Sequence, residues 1–292
     1  MDKKFKLFCF GFGQVAKYFV KNLIKRKIKF ELITTNTKKT QIKKFNNKKN
    51  KSYYFFNNKF DKKLLKDLNT SQKVLISIPP KNREDIVLKE FSKSFKKQHF
   101  NWVTYLSATS VYGDKKGKWV DEKTTPKPIT DNGLNRLIAE KNWLKLFKKF
   151  NLPIQIFRLS GIYSRENNII KKLKKNKFKL IEKKNHFFSR IHVEDIAEFL
   201  TLSLGKFHSG QVYNLSDNYP STNNELAEYA AQLMKTNLPK KIKYNKLKNK
   251  KIKKFYKGSK KVSNKKIKKF FKYNLKYPTF KEGLKIIKNQ II

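Results

Sequence analysis

The chain is 292 residues long and carries 71 lysines and arginines against 21 aspartates and glutamates, a formal net charge of +50. That length suits one large or two modest domains with a real core, and no apolar run approaches the length of a membrane span. The single cysteine, Cys9, excludes an internal disulfide and points to a reducing, cytoplasmic compartment.

Lysine supplies nearly all of the excess charge, because arginine occurs only at 26, 83, 136, 158, 165 and 190. Asn, Ile and Phe are also plentiful, and all of these have A- and T-rich codons, so compositional drift accounts for the bias. The lysines are scattered along the whole chain and read as solvated faces; the competing reading is a surface that attracts nucleic acid or acidic membranes.

The N-terminal run FKLFCFGFGQVA, residues 5–16, reads as strand, tight turn and helix. Gly11 permits the sharp turn, Gly13 lets the backbone approach a pyrophosphate, and the small Ala16 allows close packing of helix on strand. A helix N-terminus here would present N–H groups and its positive dipole end to the phosphates. Val15, Phe19, Val20, Leu23 and Ile24 recur at helical spacing. An ordinary structural turn is the competing reading. The run is too short and too broken by glycine for a signal peptide.

Residues 28–35 predict a second strand that ends in Thr35 and Asn36, followed by Lys38 and Lys39. An acidic residue at that strand end would hold ribose hydroxyls. Glu31 falls inside the strand instead, and the lysines lean toward a 2′-phosphate, hence toward NADP. A short third strand is expected at Tyr53–Phe56, a helix over 60–68, and a buried strand over 73–82 stopped by Pro79 and Pro80. Then come a helix over 84–97, a strand with its loop over 102–114, and a long helix from about 131 to 149. The strand PIQIFRLSGIY follows. Beyond Tyr163 the pattern loosens into a lysine-rich helix near 166–175, a strand passing into a helix near Val193, a short strand at 212–215 and a helix over 221–234. Ser221 or Thr222 with Glu225 suits a capping box for that last helix. Alternating strands and helices predict a doubly wound parallel sheet. With four histidines, one cysteine and no close ligand spacing, no metal site is expected.

Several stretches in order resemble the extended short-chain dehydrogenase/reductases of the epimerase/dehydratase-like group: YLSATSVYGD followed by VDEKTTPKP, then RLSGIYSREN and RIHVEDIAE. The turn at Gly11, SIPP, and the C-terminal KKVSNKKIKKFFKYNLKYPTFKEGL are similar to the atypical bacterial YeeZ-type branch. The resemblance spans nearly the whole chain. It implies a Rossmann doubly wound α/β domain over 1–163 and a small C-terminal α+β substrate lobe over 164–292, with the strand near 212–215 returning to the Rossmann sheet.

It also implies NADP or NAD as cofactor, held by Gly11, Phe12, Gly13, Gln14 and Val15 at the turn and by Thr35 and Asn36 at the second strand end. Ser77, Ile78 and Pro79, Leu106 and Ser107, Arg136, Arg158 and Gly161 complete the expected cradle. The family's proton relay is a Ser or Thr, a Tyr and a Lys. Registered on Val111–Gly113, those positions hold Ala108, Asn132 and Arg136. Asn132 cannot shuttle a proton, and a guanidinium stays charged, although it can hold a ribose, phosphate or carboxylate. Tyr112, Ser107, Thr109 and Arg136 are the remaining candidates for the chemistry. Tyr163, Arg190 and His192 lie where the extended family touches its substrate.

Three functions follow as expectations. The first is an NAD(P)-dependent oxidoreductase or epimerase-like enzyme acting on a small carbonyl or sugar-like substrate, without the usual relay. The second is a non-catalytic dinucleotide-binding sensor or scaffold. The third is nucleic-acid binding through Lys240–Tyr273, where lysines interleave with Tyr244, Phe255, Tyr256, Phe270 and Phe271. The helices over 84–97 and 131–149 are the family's usual face for a homodimer.

Overall fold

The computed structural model describes residues 4–97 and 99–290. β1 (Phe5–Phe10) buries every side chain except that of Lys6, and α1 (Gln14–Lys25) turns Val15, Ala16, Phe19, Val20 and Leu23 inward. β2 (Phe30–Asn36) pairs in parallel with β1.

Where the sequence predicts one short strand at Tyr53–Phe56, the chain forms three: β3 (Gln41–Phe45), β4 (Lys48–Phe56) and β5 (Lys59–Phe60). They fold on two identical FNNK turns. Asn46 and Asn47 in the first, and Asn57 and Asn58 in the second, all take positive φ, the type I′ geometry whose twist matches a two-residue hairpin. The register confirms it, pairing Phe45 with Lys48 and Phe56 with Lys59. β3 sits at the sheet edge with Ile42, Lys43 and Lys44 exposed, so its hydrophobic periodicity carries no signal and only the turn residues announce it.

α2 (Lys63–Asn69), β6 (Lys73–Ile76), α3 (Ile86–Phe95) and β7 (Trp102–Ala108) follow, with β6 ending well ahead of the two prolines. Asp85 caps α3 by accepting from the N–H groups of Val87 and Leu88. Next are β8 (Trp119–Val120), α4 (Asp131–Phe150), β9 (Ile154–Leu159), β10 (Gly161–Tyr163), α5 (Ile169–Lys174), β11 (Leu180–Glu182) and β12 (Arg190–His192). α6 (Val193–Ser203), β13 (Val212–Leu215), α7 (Asn223–Met234), β14 (Lys241–Lys243), α8 (Lys250–Phe255), β15 (Lys261–Val262), α9 (Lys265–Phe271) and α10 (Phe280–Asn289) complete the order. Thr222 and Glu225 form the reciprocal capping box of α7.

The chain divides into two interleaved units, in place of a single boundary after Tyr163. The first comprises Met1–Ala108, Leu134–Arg158 and Ile196–Tyr213, the second Thr109–Gly133, Leu159–Asp195 and Asn214–Ile292. The reason is that α4, β9 and α6 are needed to finish the sheet and its two covering layers, while the loops between them are not.

In the first unit the sheet runs β13-β9-β7-β6-β1-β2-β4-β3, with β5 along β4. The pairs β1–β2, β1–β6, β6–β7 and β2–β4 are parallel, and β3 is antiparallel to β4. Alternation along β1 sends Phe8 and Phe10 to the face covered by α2, α3 and α4, where they meet Leu64, Leu68, Phe91, Phe95 and Trp143. α1 and α6 cover the other face. There Trp102 stacks on Phe19 at 5.9 Å and donates from Nε1 to Ser203 Oγ, and Asn22 donates to Thr201 Oγ1. Strand order reverses between β1 and β6, the place where an open parallel sheet leaves a crevice beyond its carboxyl ends.

The second unit is built from the short parallel pairs β10–β12, β11–β14 and β15–β8. Helices α5, α7 and α10 enclose its main core, with Tyr163, Ile170, Leu173, Ala227, Ala230, Phe280 and Leu284 buried together. Among the described residues no helix is long and apolar enough to cross a membrane.

Candidate functional site

The turn after β1 is fixed from several sides. Gly11 has φ +82°, and a Cβ there would stand 2.8 Å from Ser77 Oγ. Its N–H donates to Thr35 Oγ1 at 2.8 Å, and Ser77 Oγ donates to the carbonyls of Phe10 and Gly11 at 3.0 and 3.1 Å. Gly13 differs in every respect. Its φ of −80° and ψ of −165° suit any residue, and a Cβ added to it meets nothing within 4 Å. No side chain caps the start of α1, and its first turn carries no acid. The protein itself therefore gives no reason for glycine at 13, and the absent side chain leaves open space before a bare helix N-terminus. Phe12 packs edge-on against Phe45 at 5.1 Å, so the overlooked β3 supports the turn.

At the end of β2, Thr35 is buried and committed to Gly11. Asn36 folds back into its own loop: Oδ1 accepts from the N–H groups of Lys38 and Lys39, and Nδ2 donates to Lys39 O and Ser52 Oγ. Asn36 thus shapes the loop, and the exposed groups it presents are Lys38 and Lys39. Ser77 and Ile78 lie beside the glycine turn, half-buried, and Pro79 is exposed.

At the end of β7 a charged network is buried in the first unit. Arg158 of β9 holds Glu140 of α4 through Nε at 3.0 Å and Nη2 at 2.7 Å, and Ser107 Oγ donates to Glu140 Oε1 at 2.5 Å. One helical turn earlier on α4, Arg136 donates to the carbonyl of Leu106. Glu140, which the sequence reading missed, joins Ser107 to Arg158, while Arg136 is tied separately to Leu106. Its signal is the spacing: Glu140 stands four residues after Arg136, on the same face of α4. With both carboxylate oxygens occupied by Arg158, the Ser107 hydroxyl proton points at Glu140 and its lone pairs remain to accept from a ligand.

In the second unit, Thr109–Tyr112 forms a single 3₁₀ turn. Tyr112 is fully buried and donates to Asn214 Oδ1 at 2.8 Å. Gly161 is exposed at the start of β10, whose register with β12 sets Tyr163 opposite His192. Tyr163 is buried, reaching Thr279 O at 3.4 Å, and burial with nearby Asp217 and Asp195 holds its phenol well above the ordinary range.

Arg190 is nearly enclosed, and its fork is filled by the protein: Nη1 donates to Phe188 O and Ser221 Oγ, Nη2 to Asn223 Oδ1. Burial lowers its pKa to about 10. His192 packs on Tyr277 at 3.8 Å, and burial lowers its pKa to about 4. Its Nδ1 accepts from the Glu194 N–H at 3.3 Å, so the neutral ring carries its proton on Nε2. His192 is a neutral hydrogen-bond donor at physiological pH.

A parallel sheet covered on both faces, with a glycine turn feeding a helix at the point of strand reversal, defines a Rossmann-type α/β protein. Residues 89–216 match the model of the NAD dependent epimerase/dehydratase family. A solved structure of a functionally unknown conserved protein from Silicibacter pomeroyi is similar over 98% of this chain and 99% of its own, at 30% identity and a TM-score of 0.86. The dTDP-glucose 4,6-dehydratase of Bacillus anthracis in complex with NAD shares the fold at 18% identity and TM-score 0.77, covering 97% of this chain and 95% of that one. UDP-glucuronic acid 4-epimerase of Bacillus cereus, also in complex with NAD, does so at 16% identity and TM-score 0.77, over 97% and 99%. No curated protein sequence matches the chain.

Proposed function

We propose that the protein is an NAD(P)-dependent oxidoreductase or epimerase-like enzyme, of the YeeZ-type branch, that acts on a small carbonyl or sugar-like substrate without the family's Ser/Tyr/Lys relay. Gly13 carries this reading: neither its backbone angles nor its neighbours require glycine, while a pyrophosphate lying on the α1 N-terminus does. The NAD held by the two sugar-nucleotide enzymes of like fold supports it.

A dinucleotide bound there supplies hydride exchange. The chain's own part is to seat the pyrophosphate on the N–H groups of Gly13, Gln14 and Val15, and to offer Lys38 and Lys39 to a 2′-phosphate, which favours NADP. Ser107, with Glu140 and Arg158 behind it, accepts a hydrogen bond from the cofactor or substrate. Proton transfer falls to a group other than Ala108, Asn132 or Arg136.

NADH and NADPH titrations followed by nicotinamide fluorescence test the site. Gly13→Glu abolishes the signal with the fold intact by circular dichroism; unchanged binding in that variant sinks the proposal.

The second reading, a dinucleotide-binding sensor or scaffold, is favoured by the hydroxyl of Tyr112 being committed to Asn214 in addition to the replaced relay. Stereospecific hydride transfer to any member of a broad carbonyl panel decides against it.

A further inference from the structure

In the segment Lys240–Tyr273, where lysines interleave with aromatic residues, Tyr256 and Phe271 are buried and Tyr244 and Phe270 half-buried. What the segment does bring to the surface is KGSKK, residues 257–261, laced to two stretches far from it in the chain: KKGKW at 115–119 and KKNHF at 183–187. Ser259 is the knot. Its N–H donates to Asp114 Oδ1 at 2.8 Å, and its carbonyl accepts from the N–H groups of Lys115 and Gly117. Its Oγ accepts from the Phe187 N–H at 2.9 Å and donates to Asn185 O at 3.2 Å. The Lys261 N–H adds a bond to Lys118 O at 3.0 Å. All of these partners belong to the second unit.

Eight of the fifteen residues so joined are lysine, whereas lysine and arginine together make up 71 of the 292 in the chain, so the charge is concentrated here beyond the compositional background. Among the described residues none of the eight is in an ion pair. Lys115, Lys183 and Lys260 each use one of an ammonium's three donors on a carbonyl oxygen, those of Thr125, Tyr256 and Gly113. Asp114 is turned onto the N–H groups of Ser259 and Lys116, and Asp121 onto those of Lys123 and Thr124. The lysines outnumber these carboxylates, and the face is basic.

An exposed ring stands on the same frame. Trp119 is 58% exposed, whereas Trp102 and Trp143 are fully buried. In the parallel pair β8–β15 it is the register partner of Lys261, whose Nζ lies 4.2 Å over the Phe187 ring. Phe187 lies so close to Gly117 that a Cβ there would stand 3.2 Å from the ring. Phe187, Lys261 and Trp119 are thus neighbours in that order, and the indole is the most exposed of the three.

We propose that this face of the second unit binds single-stranded nucleic acid, with its lysines on the phosphate backbone and Trp119 stacked on a base. A phosphate backbone supplies the spaced negative charges that three lysine-bearing segments match. An exposed indole rewards a partner that offers a planar face, which a single strand presents and a duplex hides. An acidic lipid surface is the competing occupant. The glycine turn belongs to the other unit, and the two readings stand or fall separately.

The full chain is titrated into a fluorescein-labelled oligothymidylate of about a dozen residues, within the range of a single-strand site, and binding is followed by anisotropy in about 0.15 M salt. Trp119→Ala weakens binding about tenfold, and Trp119→Phe, which keeps a stacking ring, recovers most of the loss. Lys118→Ala lowers the slope of log affinity on log salt by about one, while Lys285→Ala, an equal change of charge at an exposed site on α10, leaves it unaltered. In the parent chain unlabelled oligothymidylate quenches the emission of Trp119, the exposed one of the three tryptophans. Equal effects of Lys118→Ala and Lys285→Ala reduce the binding to diffuse charge and overturn the site. So does full affinity in Trp119→Ala, or a duplex of the same length bound as tightly as the single strand. Binding to phosphatidylserine vesicles at this salt, with none to the oligothymidylate, gives the face to a membrane and overturns the proposal.

Discussion

A side chain at Gly11 would have to enter left-handed φ and crowd Ser77 Oγ, whereas one at Gly13 would point into open space. Gly11→Ala therefore destabilises the fold by about 1–3 kcal/mol, read from urea unfolding, and equal stability of variant and parent would refute the geometry of the turn. His186 gives the pH counterpart. Burial and the adjacent Lys183 and Lys260 lower its pKa to about 4, with Asp114 opposing. The unfolded chain, with an ordinary His near 6.5, binds the proton first. Stability from the neutral ring is thus complete above about pH 6.5 and lost as pH falls toward 4. His186→Phe keeps the aromatic packing and flattens that acid limb in pH-dependent melts; an unaltered slope counts against the assignment. At this scale the sequence reveals residues that break a pattern, such as glycines, and hides those whose role depends on distant partners. Glu140 is one acid among many until Arg158 and Ser107 are brought to it.

Strands with a buried face, β1, β2, β6, β7 and β9, are legible because their apolar runs are sheet-period or fully apolar. β3 and the first half of β4 are not, since QIKKF and KKNK belong to an exposed edge rich in lysine, a device against edge-to-edge pairing. What specifies them is the asparagine pair, tolerant of left-handed φ. Asn47→Gly, placing the favoured Asn-Gly in the turn, stabilises the first unit by about 0.5 kcal/mol, and Asn46→Val costs about 1–2 kcal/mol. Opposite signs in thermal melts check this; two neutral substitutions would remove the turn from the argument. The short strands of the second unit, two or three residues each, fall below the length at which periodicity can be read at all.

For the molecule as a whole the net charge of +50 is a repulsive term in the folded state that salt screens, the Debye length falling from about 10 Å at 0.1 M to about 3 Å at 1 M. The melting temperature rises by about 5 °C or more between 20 mM and 0.5 M NaCl, as followed by differential scanning fluorimetry. A flat dependence means that the lysines lie too far apart to oppose folding. The overall architecture was legible from order alone, since alternating elements and the motif sequence required no geometry. The division into units was not, because it depends on which later segments complete the sheet.

That division also governs synthesis. The chain crosses from one unit to the other five times, and the first unit is complete only at Tyr213, 105 residues after its opening segment ends at Ala108. At ribosomal speeds of about 5–20 residues per second, β7 waits several seconds for β9 to cover its open edge. During that interval a nascent chain exposes an apolar strand, WVTYLSA, to its neighbours on the polysome. Neither unit can be expressed by a single truncation, and slowing translation after Ala108 prolongs the stage at which newly made chains aggregate.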